Sequence, residues 1–180
     1  MRIMKKVKQD EPEKKLSKPE QIAKSLFDFS IDREDIKWLV EKEPDDNKIP
    51  QNTIEYELQL LKIIAVGWSI SFYLGDHPLK ETIAELFWHH VHHFSETISS
   101  TTELTIGKKV DYFNILKERL DLYIESLKSI TAETDPLHFI GPEFAAFCGN
   151  KDDVFAVLTG SKMFATTLNR VREYLETIEK

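Results

Sequence analysis

The sequence predicts an all-α chain: an up-down four-helix bundle preceded by two short N-terminal helices. Three observations carry that prediction. Apolar residues recur at spacings of three and four along most of the chain. No stretch alternates with the period of two that a half-buried strand needs. The links between the long periodic stretches are short, which favours antiparallel neighbours.

Residues 1–18 mix charges of both signs with scattered apolar groups and predict a disordered or loosely helical tail. No continuous apolar run follows Arg2, Lys5, Lys6 and Lys8, so the segment does not read as a secretory leader. A solvated leader is the first reading and a basic docking segment the second. A single helical domain is expected over 19–180. Its first part, 19–49, reads as a pair of short helices. Pro19 opens one through Phe29, with Ile22, Ala23, Leu26 and Phe27 sharing a side. Asp32 caps the other through Lys42, which presents Ile36, Leu39 and Val40. Pro44, Asp45, Asp46 and Asn47 then make a turn-rich connector to Pro50.

The bundle itself is expected over 50–180. Its first helix runs from about Gln51 to Leu74 and stops at Gly75 and Asp76. It contains the longest uncharged run, IIAVGWSISFYLG over 63–75. That is shorter than the roughly 20 residues of a membrane span, so it reads as a helix buried on most sides. A second helix is expected from Pro78 to about Ser99, ending in the polar SSTTE stretch. The third spans roughly 108–130, with Phe113, Leu116, Leu120, Tyr123, Leu127 and Ile130 in its seam. The last begins after Asp152, where Val154, Val157, Ser161, Phe164, Leu168, Val171, Leu175 and Ile178 hold a three-four alternation. Between these two, residues 133–153 are broken by Asp135-Pro136, Gly141-Pro142 and Gly149-Asn150. One short helix near 142–148 is expected there, its phenylalanines plugging an end of the bundle.

Composition excludes several classes. Twenty-four Lys and Arg against 31 Asp and Glu give a net charge of -7, which a nucleic-acid backbone does not reward. Cys148 stands alone, so neither a disulfide framework nor a Cys-rich zinc module can form within the chain. A length of 180 residues suits one domain that buries roughly 70% of its unfolded surface. A cytoplasmic protein without a membrane segment is the expectation.

Four of the six histidines fall in ELFWHHVHHFSE, residues 85–96. At about 100° per residue, Leu79, Ile83, Phe87 and Phe94 set the apolar centre of that helix. His90 falls inside the stripe and His93 at its edge. Glu85, His89, His92 and Glu96 line the opposite side at steps of four, three and four. This outer row is a candidate divalent-metal patch, although one helix rarely closes a site alone. Its plainer reading is a solvated face that happens to be rich in histidine. For the inner histidine, a hairpin turning near Gly75 would bring Glu57 beside His93 and Leu61 beside His90. Glu57, His90 and His93 then form a candidate interior polar pair, either structural or the wall of a ligand pocket.

Known ways of using histidine in helical bundles do not fit the spacing. A di-iron site needs two Glu-x-x-His pairs, and Glu85 and His89 are four apart. A hemerythrin-like site needs histidines on several helices, and only His77 and His138 lie outside the cluster. Cys148 beside His138 reads as an inert thiol near a helix C-terminus, where the dipole disfavours a thiolate. Gly67 with Ser71, and Gly160 with Ser161, read as close-packing positions more than as the floor of an apolar pocket. No nucleophile-base set or phosphate loop emerges. The leading expectation is therefore a non-enzymatic interaction or regulatory protein, self-associating as a homo-oligomer or binding a protein partner through a leftover apolar face. The alternative is a small-molecule- or metal-binding bundle, with catalysis open, centred on Glu57, His90 and His93. A divalent metal is the one cofactor suggested.

Overall fold

The computed structural model describes residues 16–128 and 137–178. Most of the predicted charged tail, residues 1–15, lies outside them, as do Ile130 and the Asp135-Pro136 break. The described residues are all-α, with helices α1 (Lys18–Ile31), α2 (Glu34–Val40), α3 (Gln51–Tyr73), α4 (Lys80–Ile106), α5 (Tyr112–Lys128), α6 (Leu137–Phe147) and α7 (Val154–Ile178).

Local chemistry sets most boundaries where the sequence put them. The Ser17 N–H donates to the Glu20 carboxylate at 2.7 Å, opening α1 one turn ahead of its first buried side chain, Ile22. Ile22, Ala23 and Leu26 are buried, as the spacing required. Asp32 Oδ1 accepts from the Glu34 N–H at 2.7 Å and starts α2, whose Ile36, Leu39 and Val40 are buried.

Two differences have a clear physical cause. The SSTTE stretch does not stop α4. Thr102 and Thr105 hydroxyls donate back to the Ile98 and Thr101 carbonyls, satisfied within the helix, and α4 continues to Ile106. It ends at Gly107, which adopts the left-handed φ of 70° that a side chain would strain. Likewise Gly141-Pro142 does not break α6, which runs through both. Gly141 lies so close to α7 that a Cβ there would collide with the Val157 carbonyl and the Ser161 hydroxyl. The pair therefore marks a close helix crossing and not a turn.

Helix α3 is the hub. It contacts α1, α2, α4, α5, α6 and α7, and every residue from Glu57 to Gly67 is buried. A helix enclosed on all sides gives up its solvated face, and each Leu or Ile it buries contributes roughly 1.5–3 kcal/mol. The connector before α3 (Pro44, Asp46, Asn47, Lys48) shares a groove with the residues that open α7 (Asp152, Asp153, Val154, Phe155). Further along, Asp35 bridges Lys62 of α3 and Arg170 of α7. These two helices consequently run in the same direction. Up-down order over four long helices would oppose them; α6, expected only as a short plug near 142–148, runs from Leu137 to Phe147 and supplies an extra reversal. The α7 seam also rotates. Val154 is 70% exposed, and Ala156, Gly160, Met163 and Thr167 face inward in the first half. Phe164, Val171 and Leu175 keep their predicted place. Among the described residues, no helix is long and apolar enough to cross a membrane.

Candidate functional site

Enclosure of α3 forces its polar residues to find protein partners, because a buried polar group without one is costly. Three do so on three sides. Glu57 accepts two hydrogen bonds from Arg119 of α5, from Nε at 3.0 Å and from the second guanidinium nitrogen at 2.9 Å. Gln59 donates to the Ser30 carbonyl at the end of α1, at 2.8 Å. Lys62 donates to the Asp32 carbonyl at 2.8 Å and to Asp35 at 3.2 Å, with its ammonium over the Phe29 ring. Arg170 reaches the same Asp35 carboxylate from α7.

Around Glu57 the cluster widens. The Arg119 guanidinium lies 4.2 Å from the Phe147 ring centre, and Phe147 meets Tyr123 edge-on. The Tyr123 hydroxyl is buried and has no hydrogen-bond partner. Burial, and then the Glu57 charge, push its pKa well above the ordinary value. The same two causes push the Cys148 thiol up to about 12, so it rests as an inert thiol. Burial lowers the Lys62 pKa against the opposing pull of Asp35. The hydrogen bonds that Arg119 donates to Glu57 lead the causes that raise its pKa.

The proposed interior pair of Glu57 with His90 or His93 is not formed. Two physical reasons account for that. Gly67 packs under the Trp88 ring, so Glu57, ten residues earlier, falls opposite Ile98, about one helical turn past His93. Moreover, α1 lies along α4, and His90 stacks on Phe27 with ring centres 5.3 Å apart. His90 is thus half-buried against α1. His93 points outward, 69% exposed, with Nδ1 at 3.2 Å from the Glu96 carboxylate. Glu57, His90 and His93 therefore do not come together as one interior polar group.

The outer row is also rearranged. His92 turns toward α5 and meets the Phe113 ring edge-on at 4.8 Å, with its Nδ1 3.8 Å from Glu96. His89 instead pairs with His93, ring centres 5.0 Å apart. Glu85 is exposed on the same helix. Among the described residues, no three His, Cys, Asp or Glu side chains converge as a ligand set for one ion. No protein-family model, curated protein or solved structure matches this chain. Its site must be read from geometry.

Arg119 is the residue that sequence reasoning missed. On the periodicity of α5 it flanks the apolar seam, three residues after Leu116 and four before Tyr123, a place where a lone charge draws no attention. A signal existed on α3: Glu57, Gln59 and Lys62 together spread around a helix that has no polar side left. Each therefore required a partner from elsewhere.

Proposed function

We propose that this chain is a non-enzymatic interaction or regulatory protein that self-associates. The observation that carries the reading is an aromatic surface at the C-terminal end of α3. Phe72 is 60% exposed, stacks on Trp68 at 4.7 Å and meets Tyr73 edge-on at 5.1 Å. Left in water, such a surface forgoes burial worth roughly 25 cal/mol per Å². Exposed aromatic groups of this kind are enriched at the centres of protein contacts. The interior gives complementary support. Glu57 and Lys62 are committed to Arg119 and Asp35, so these charges serve to lock helices together.

Light scattering on the tag-free chain across a concentration series tests the proposal. Particle mass should rise above the 21.0 kDa of one chain, and Phe72→Glu should return it to that value. A wild-type chain that stays at one-chain mass throughout would sink the reading. So would assembly that is indifferent to Phe72→Glu.

A further inference from the structure

We propose that His89 and His93 form one half of a divalent-metal site, which a second copy of this chain completes through its own His89 and His93. The half-site is already assembled. The two imidazoles lie one helical turn apart on α4 with ring centres 5.0 Å apart, and both residues are exposed. The Glu96 carboxylate stands 3.2 Å from His93 Nδ1. A carboxylate on one ring nitrogen orients the ring and leaves Nε2 for a metal.

One chain cannot finish this site. A closed zinc site takes four ligands, and no larger convergent set occurs among the described residues. Two-fold symmetry supplies what is missing, because it duplicates any patch placed at the axis. Two imidazoles from each copy give four nitrogen ligands, a donor set suited to Zn²⁺ and to other late first-row divalent ions. Charge also favours the cation. Each chain carries -7, and Glu85 and Glu96 flank the histidines, so an ion between copies offsets the repulsion there. His92 is outside the ligand set, because it is turned onto Phe113 of α5. This contact lies on α4 and is independent of the aromatic surface on α3.

The test uses Zn²⁺ and the tag-free, full-length chain carrying Phe72→Glu, so that the aromatic contact does not contribute. Light scattering should show Zn²⁺ doubling the particle mass, one ion bound per two chains, and EDTA reversing it. His89→Ala or His93→Ala should each abolish the doubling, and His92→Ala should leave it intact. Zn²⁺ bound without a change in mass would mean adventitious single-chain binding and would overturn the proposal. Doubling that survives both His89→Ala and His93→Ala would overturn it too. Either failure leaves the metal-free test of Phe72 untouched.

Discussion

The surroundings of α3 and the outer face of α4 use the same kinds of charged side chain to opposite ends. Glu57 is 4% exposed and takes its partner from α5, 62 positions along the chain. Lys62 takes Asp35 from α2, 27 positions back. On α4, Glu96 stands beside His92 and His93, its own neighbours by four and three, and all three are exposed. Distant buried pairs tie helices together and are strongly destabilising to break on one side. Local exposed pairs contribute a few tenths of a kcal/mol. Stability resides in the first region, and freedom to bind resides in the second.

Arg119→Ala should produce the largest effect. It strands Glu57 as a buried unpaired carboxylate, and the cost should be about 3 kcal/mol in urea unfolding followed by circular dichroism. Replacing both partners, Glu57→Leu with Arg119→Leu, should recover most of that loss, since two apolar groups leave nothing unpaired. A single-variant loss below about 0.5 kcal/mol, the size of an ordinary surface change, would break the contrast between the two regions.

Tyr123→Phe should act in the opposite direction. The hydroxyl is buried without a partner, and such a group costs about 1 kcal/mol or more of folded-state stability. Removing it while keeping the ring against Phe147 should raise the urea midpoint. A lower midpoint would show that a bound water satisfies the hydroxyl, and the cluster would then be hydrated rather than dry.

The contrast also explains what could be read from the sequence. Helix positions followed local rules: Pro19 opens α1, Asp32 opens α2, and the apolar run over 63–75 marks the buried hub. The all-α class follows from that periodicity alone. Arg119 was illegible because periodicity assigns a side chain to a face of its own helix, while its partner is set by which helix packs there. The His90 environment failed for a related reason. α1 fills the groove along α4 that a plain α3–α4 hairpin would have closed. Leu104 and Ile106, 87% and 67% exposed, lie in the part of α4 that extends past the polar SSTTE stretch's expected stop. Burial did not extend that helix; satisfied threonine hydroxyls and a glycine stop did.

Alkaline pH should separate the buried cluster from the exposed face by a smaller margin. The Cys148 thiol is raised from 9.0 to about 12, so the folded state prefers its neutral form. That preference contributes fully below pH 9 and is lost as pH rises toward 12. Cys148→Ala removes this contribution. Its urea midpoint should therefore fall less steeply above pH 9 than that of the wild type. Lys62, whose pKa is lowered, gains stability over its own alkaline range, but equally in both proteins, so it cancels from the difference. Parallel slopes would place Cys148 in contact with water.

The smallest effects belong to the histidines, and their order is informative. With EDTA present, His89→Ala should change stability by less than about 0.5 kcal/mol, because its ring contacts among the described residues are with histidines of the same helix. His92→Ala should cost somewhat more, having lost an edge-on contact to Phe113 of α5. His90→Ala should cost the most, about 1 kcal/mol, since its ring stacks on Phe27 and joins α4 to α1. Thermal or urea midpoints of the three variants measure that order directly. A loss on His89→Ala as large as that on His90→Ala would mean that the outer face holds the fold together. His89 would then be spent on stability within one chain, and a ligand role between chains would have to be sought elsewhere on α4.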